Sequence, residues 1–531
     1  MAAVLPLPVQ QLGICSVRAI SLCGLDPEPI DVEVASRRGP AFFQLVGLAE
    51  AAVRESRVRV ASALCRLGIL IDEYALTVSL APADLRKAGA GLDLAIAVAV
   101  LGAVGHVPPA SVQGLVVAGE LSIEGLIRPI RGTLPLLEGA RRLGLRRAIV
   151  PSANAAEAGF SPGMSVLAAS TLEEVVEHLN GRAQLPLVTR GTFSPGPTEH
   201  IADLSDVRGQ ASAKRALEIA AAGEHNLILA GPPGSGKTLL ARILPSLLPP
   251  LTLEAALEAT AIHSIAGLVD TTRGIVESPP FRAPHHSVSQ PGLIGGGGIP
   301  RPGEVSLAHN GVLFLDELTE FRRGTLECLR QPLEEGVVRV ARARARAAFP
   351  ARPLLVGAMN PCPCGNYANP KRACRCNEDE RRRYVGRISG PLLDRIDLHV
   401  HVPPVDVQSL CEHPPAPLRG ASESKEVRAR VVRAREIQRR RHEQGRVVSA
   451  TNGGLSLREL RDVARPDETG DRLLARAVEG MGLSARAYVR VLRVARTIAD
   501  LDESKHVSSV HLSEAIRCRL LDHAQLPGTS A

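Results

Sequence analysis

The chain has no tryptophan, and its aromatic residues amount to 2% of the sequence. Apolar cores must therefore be assembled from Leu, Val, Ile and Ala. Lysine is nearly missing as well: Lys87, Lys214, Lys237, Lys371, Lys425 and Lys505 are the only six among 63 basic residues. The net charge of +8 is thus an arginine charge. It favours a polyanionic partner, although arginine-for-lysine usage also follows from a GC-rich genome. Long hydrophobic runs are absent. The longest, Leu92 to Val104, is too short to cross a bilayer, so no membrane partner is expected. Met1 to Gly13 lacks a basic segment leading into an apolar one, so no secretory leader is evident. The ten cysteines are then expected as reduced thiols or a metal site, not as a disulfide framework. The expected location is the cytoplasm.

What is present suffices for large cores: 45% of the 531 residues are hydrophobic and 22% charged, enough for roughly three domains. Residues 1–178 alternate short apolar runs with helical segments. Ile30 to Val34, Tyr74 to Leu80 and Leu115 to Ala118 read as strands, and Leu92 to Val104 as a buried helix. A Pro-, Gly- and Thr-rich linker over 179–200 separates this part from an α/β pattern over 201–404. A second, Pro-rich linker over 405–422 leads to helical, heavily charged residues 423–531. No internal repeat is evident.

The most informative residues are Gly231, Pro232, Pro233, Gly234, Ser235, Gly236, Lys237 and Thr238. An apolar run, Asn226 to Ala230, precedes them and a helical segment, Leu239 to Leu244, follows. Strand, glycine-rich loop and helix in that order wrap a phosphate chain with backbone N–H groups. Lys237 is placed to reach the β/γ-phosphates and Thr238 to hold Mg²⁺, so ATP and Mg²⁺ are the expected ligands. Further on, Val312 to Leu315 reads as a buried strand ending in Asp316 and Glu317. Parallel strands deliver ligand-binding groups at that edge. Asp316 suits the Mg²⁺ shell, and Glu317 the orientation and deprotonation of an attacking water. A neighbouring apolar run, Pro353 to Met359, ends at Asn360, which suits contact with the γ-phosphate and the water. Arg395 and Arg486 each fall near a helix end, where a guanidinium serves either a surface ion pair or a transition-state phosphate.

Three other features stand out. Cys362, Cys364, Cys374 and Cys376 form the only clustered cysteines, and four thiolates close a tetrahedral zinc site. The one-residue gap within each pair is tighter than usual, so a loop of free thiols stays open as the alternative. From Val337 to Arg346 arginines alternate with small residues, and a strand places Arg342, Arg344 and Arg346 on one face. These are candidates for DNA phosphate contacts, or for a solvated strand edge protected by charge. His285 and His286 are adjacent, and adjacent histidines on a strand face opposite ways, which favours a structural or inter-subunit role over a metal.

Together with Asp206-Val-Arg-Gly-Gln210, Ala220-Ala-Ala-Gly-Glu-His-Asn226, Pro280-Phe-Arg-Ala-Pro-His-His286, Asn360-Pro-Cys-Pro-Cys-Gly365 and Ile388-Ser-Gly-Pro-Leu-Leu-Asp-Arg395, these motifs resemble AAA+ ATPases of the magnesium-chelatase-like group, specifically the ComM/YifB competence family. The resemblance runs almost end to end. It implies a Lon-protease-like α+β domain over 1–178, an AAA+ P-loop α/β core over 201–404 and a helical lid over 423–531. It also implies a homo-oligomeric, hexameric ring with ATP between subunits. Arg395 then matches the trans-acting arginine finger, Arg486 the lid sensor and Asn360 the first sensor. The segment from Ser278 to His309 fits an insertion, and the arginine-rich stretch a hairpin directed into the ring channel. Lys87 to Leu94 has no serine and Pro129 to Pro135 no lysine where a Lon-type dyad belongs, so peptide hydrolysis is not expected. The implied function is ATP-driven branch migration or helicase action on DNA during transformation. A protein- or cofactor-remodelling ATPase similar to a magnesium chelatase motor subunit is the alternative, and a non-motor nucleotide switch a third.

Overall fold

The computed structural model describes residues 12–47, 51–82, 91–196, 202–297, 300–342, 345–367, 372–404, 422–481 and 484–519. The alternation at Ile30, Val32 and Val34 is a strand with all three side chains fully buried. It extends over Asp26–Arg38, because antiparallel pairing with Gly13–Cys23 on one side and Tyr74–Ala81 on the other continues beyond the apolar residues. These strands belong to a seven-stranded sheet, ordered Phe42–Val46, Tyr74–Ala81, Asp26–Arg38, Gly13–Cys23, Leu115–Val117, Arg147–Pro151, Ser165–Ala169. The helix Asp93–Ala103 is apolar on every side, and every one of its residues is buried. Its first residue, Asp93, is fully buried. It accepts hydrogen bonds from Ser56 Oγ, from Arg59 Nε at 2.6 Å and from the Leu121 N–H at 3.2 Å. A buried carboxylate so satisfied ties two helices to the short strand Glu120–Leu121, a fold-supporting role.

The second sheet is wholly parallel, in the order Phe281–Arg282, Val312–Leu315, Leu354–Met359, Leu227–Ala230, Leu398–His401. Its three central strands are buried at every residue, as expected of a parallel sheet covered on both faces. One face packs on helices Ala211–Gly223 and Lys237–Leu247 and on the C-terminal helices; the other packs on residues from Leu318 to Leu329 and on a hairpin. Asn226 stitches the strand entries together. Its Oδ1 accepts from the Leu355 N–H at 2.9 Å and its Nδ2 donates to the Arg395 carbonyl at 3.1 Å. A parallel-sheet core with a helical C-terminal region fits an AAA+-like fold. Among the described residues, no helix is long and apolar enough to cross a membrane.

The hairpin corrects one expectation. Val337 to Arg346 is not a single strand: Val337–Arg342 pairs antiparallel with Ala345–Pro350. The register couples Arg342 with Ala345 and Ala341 with Arg346. Arg342 thus holds the register row of Val338 and Val340, and Arg346 the opposite row, so these two arginines do not share a row. Arg346 is exposed, while Arg344 lies outside the described residues. Val338, Val340, Ala347 and Phe349 are buried and seat the hairpin on the core.

Both sheets are joined at a close-packed seam. The Gly132 N–H donates to the carbonyl and hydroxyl oxygens of Ser264, at 3.2 and 3.0 Å, and that hydroxyl donates to the buried carboxylate of Glu157. Gly274 lies so near that a Cβ there would sit 2.2 Å from the Ala156 carbonyl carbon.

The helix Ala485–Leu501 is fastened to the end of the loop that follows Arg395. Arg490 donates to the Asp394 carbonyl at 2.6 Å and pairs with Asp397, which also faces His225 at 3.5 Å. Burial disfavours the Asp397 carboxylate, but the Arg490 guanidinium and the His225 imidazole overcome that cost and hold it well below the usual carboxylate range. A depressed carboxyl contributes stability that is complete above its unfolded value, near pH 4, and lost as pH falls below it. Asp397→Asn should therefore lower the melting temperature at pH 7, for a loss of about 3 kcal/mol. The gap to the parent protein should narrow below about pH 4, as read by thermal denaturation across pH.

Candidate nucleotide site

Between the strand Leu227–Ala230 and the helix Lys237–Leu247 the backbone makes a tight loop whose glycines have separate causes. Gly231 packs against Val402: a Cβ would stand 2.1 Å from its carbonyl oxygen. Gly234 and Gly236 have φ of +75° and +88°, a region that disfavours any side chain. A Cβ on either would meet no atom within 4 Å, so the loop is open above them, where a phosphate approaches backbone N–H groups. Ser235 is buried, and its Oγ has no hydrogen-bond partner among the described residues.

Lys237 is the centre of the site. Its ammonium donates to the carbonyls of Gly231 and Pro232 at 2.8 and 2.9 Å, and reaches Asn360 Oδ1 at 3.3 Å. Burial pushes this ammonium down to about 8, against the pull of Asp316. Next to it the Thr238 hydroxyl donates to Asp316 Oδ2 at 2.8 Å, which joins the helix start to the end of the acidic strand. Two hard oxygen donors in contact form the set a Mg²⁺ ion takes alongside phosphate oxygens and waters. The cleft over these groups measures about 400 Å³ and is lined by residues 233–239, Asp316, Glu317 and Asn360. Glu317 has a φ of +51°, rare for a residue with a side chain, and its N–H donates to Asp316 Oδ1 at 2.9 Å.

Arg395 and Arg486 do not line this cleft. Arg395 is only 7% exposed; it pairs with Glu334, donates to the Pro391 carbonyl, and leaves Nε without a partner among the described residues. Arg486 is exposed and lies 3.5 Å from Asp394. The two are thus brought together around residues 394–395, beneath Arg490, and not around the Lys237 of their own chain.

The four cysteines converge. Cys362, Cys364 and Cys374 have Sγ atoms 3.4 to 3.7 Å apart, and all four sulfurs lie within 4.8 Å of one another. A tetrahedral Zn–S₄ site with bonds near 2.3 Å spaces its sulfurs by about 3.8 Å, so the arrangement fits a metal ion. Burial and the neighbouring thiols push Cys362 up to about 12. The cluster also touches the nucleotide loop: a Cβ on Gly365 would fall 2.7 Å from Pro233 Cδ.

Some contacts were not legible in the motifs. Gln210 Nε2 donates to the Pro403 carbonyl at 2.6 Å and approaches the Ser235 carbonyl at 3.5 Å, so it braces the phosphate loop from below. The two adjacent histidines also depart from expectation. Their strand ends at Arg282, so they do not face opposite ways, and their rings lie tilted by 35° with centroids 4.0 Å apart. His286 Nδ1 lies 3.2 Å from Glu317 Oε2.

The comparisons agree along the chain. The family described as magnesium chelatase, subunit ChlI, matches residues 203–410; a second description of that subunit matches 32–154, and its C-terminal part matches 421–519. An uncharacterized protein YifB of Salmonella typhimurium is 41% identical over 513 residues, covering 96% of this chain and 98% of that protein. The competence protein ComM of Haemophilus influenzae is 41% identical over 503 residues, covering 94% and 96%. Lon protease 2 of Bacillus subtilis is 32% identical over 143 residues, a quarter of each chain, so the Lon likeness is partial. With the cleft, its lysine and its acidic strand in place, the chain belongs to the magnesium-chelatase-like ComM/YifB family.

Proposed function

We propose that the protein is a Mg²⁺-dependent ATPase that works as a hexameric AAA+ ring on DNA, driving branch migration or unwinding of recombination intermediates. The observation that carries this reading is the buried Lys237 ammonium, satisfied by three oxygens at the floor of an open glycine loop. A polyphosphate supplies stronger acceptors than carbonyls, so the ammonium turns to it on binding. Thr238 and Asp316 would hold Mg²⁺, which would supply positive charge to offset that of the bound phosphates. Glu317 takes a proton from the attacking water as its oxygen bonds to the γ-phosphorus and the bond to the β–γ bridging oxygen breaks, leaving ADP and phosphate. Asn360 orients that water. Arg395 and Arg486, remote from their own cleft, stabilise the transferring phosphoryl group of an adjacent protomer.

Support for DNA comes from the arginine-dominated charge, the likeness to a competence protein, and the hairpin strands that carry Arg342 and Arg346. A remodelling role like that of a chelatase motor is favoured by one finding, the match of two magnesium chelatase descriptions to residues 203–410 and 421–519. ATPase rates with no DNA and with single-stranded, duplex and four-way-junction DNA separate the two. Junction DNA should stimulate turnover severalfold, and replacing Arg342, Arg344 and Arg346 together by alanine should abolish that stimulation while basal turnover persists. Indifference to every DNA would favour the remodelling role.

The cysteine cluster fits a structural zinc that fixes the loop between Asn360 and Arg395 against the phosphate loop. Metal analysis of the purified protein should give one zinc per chain, lost in Cys362→Ser with Cys374→Ser. A content far below one would remove the metal from the account.

A further inference from the structure

The C-terminal region carries a groove that nucleotide chemistry does not use. The helices Glu468–Met481 and Ser509–Arg517 start side by side, because Pro466 and Val507 form a parallel bridge just before them. Gly470 lets them close on each other: a Cβ there would stand 2.7 Å from Leu512 Cδ1. Leu474 and Leu512 are buried in the core beneath. Toward solvent the two helices leave a groove of about 700 Å³ between them.

Helical spacing decides what faces this groove. Thr469, Arg472 and Arg476 recur at three and four residues on one helix, and Ser509, Ser513 and Arg517 at four on the other. Each set therefore lies along one helix face. Arg472 and Arg476 are one turn apart, about 6 Å along the axis, and like charges so placed repel. Little in the groove offsets them. Arg476 has no hydrogen bond or ion pair among the described residues. Arg472 pairs with Glu468, but the two side chains are 73% and 84% exposed, and so open a pair contributes little. Arg517 reaches the Ser513 hydroxyl at 3.3 Å. The one carboxylate among the described lining residues, Glu514, is taken by Arg215 at 2.9 Å.

The groove thus presents guanidinium and hydroxyl donors against a single acid that is already engaged. A peptide brings N–H groups that need acceptors, whereas a phosphodiester brings acceptors and negative charge alone. The described lining holds no aromatic ring on which a base could stack, so phosphates and not bases are what it can grip. Binding of that kind carries no sequence information. Leu473 and Val510, the latter 71% exposed, give the sugars an apolar floor.

We propose that this groove binds the phosphate backbone of a DNA strand through Arg472, Arg476 and Arg517. The proposal rests on the DNA reading and adds to it a second contact, built on elements other than the arginine hairpin.

Fluorescence anisotropy of a labelled oligothymidylate, titrated with the full chain at salt concentrations from about 50 to about 200 mM, tests it. Each phosphate neutralised on a single strand adds about 0.7 to the steepness with which log affinity falls against log salt. Replacing Arg472, Arg476 and Arg517 together by glutamine should therefore reduce that steepness by about 2. Basal ATPase and melting temperature should stay near the parent values. Arg476→Gln alone should reduce the steepness by about 0.7. Lysine at the same three positions should restore most of it, because counterion release follows charge; a role in packing alone would show no such rescue. A glutamine variant that keeps the parent's affinity and steepness overturns the proposal. So does one that loses binding of a labelled oligoglutamate peptide while its DNA binding is unchanged, which would assign the groove to an acidic protein. A parent protein that binds no DNA at any salt is a different outcome, which removes the DNA reading itself.

Discussion

Everything in the site depends on one constraint: a lysine ammonium buried beneath a glycine loop, with only carbonyl-type oxygens to satisfy it. Desolvation costs the charged form enough to bring Lys237 down to about 8, and the acceptors at Gly231, Pro232 and Asn360, with the pull of Asp316, offset only part of that cost. An anionic ligand relieves the imbalance. The surroundings follow from holding that ammonium in place. Gly231 is pressed on Val402 by the flanking parallel strand, its N–H donates to the Met359 carbonyl at 3.1 Å, and Asn360 follows directly on that strand. The sheet order sets Asp316 and Asn360 on adjacent strands, so the metal-binding and water-orienting groups arrive together.

The periphery is packed against this centre. The loop around Arg395 and Asp397 is gripped by the C-terminal region, through Arg490 of the helix Ala485–Leu501 and through Arg519 beyond the last helix, which donates to the Ile396 carbonyl at 2.6 Å. The front sheet rests on the helix Leu253–Ala266 through Ser264 and Glu157. Gly24, at the first turn of the front sheet, stands 2.6 Å in Cβ terms from Ala347 of the arginine hairpin. A displacement at the cleft therefore has packed routes to the lid, the hairpin and the front sheet. Close-packed interfaces of this kind transmit strain.

How much was legible in the sequence followed from how local the physics is. The phosphate loop, the acidic strand and the strand before Asn360 were readable because a short apolar run and its polar ending are complete in themselves. The helix Asp93–Ala103 and strands at Ile30, Tyr74 and Leu115 were readable for the same reason. The hairpin was implied by the family resemblance alone; the period-two alternation of Arg and Ala read as one strand, which set Arg342 and Arg346 on one face. That alternation runs on unbroken from Val337 to Arg346, although Val337–Arg342 pairs antiparallel with Ala345–Pro350. The histidine pair was misread because a loop, not a strand, carries it. The pairing of Arg395 with Glu334 and the contact of Gly365 with Pro233 depend on segments far apart in the chain, and no spacing announces them. The four cysteines lie between these cases: their clustering was visible, while the convergence of four sulfurs required the fold.

The central claim is that one protomer binds the triphosphate and another completes the site, since Arg395 and Arg486 sit apart from the Lys237 of their own chain. The direct measurement is ATPase complementation between two inactive variants, Lys237→Ala and Arg395→Ala, each assayed alone and then after mixing. Recovery of turnover in the mixture, with each variant alone inactive, is the predicted result, because some interfaces then combine an intact lysine with an intact arginine. A mixture as inactive as its parts, in assemblies shown to exchange subunits, would contradict the account.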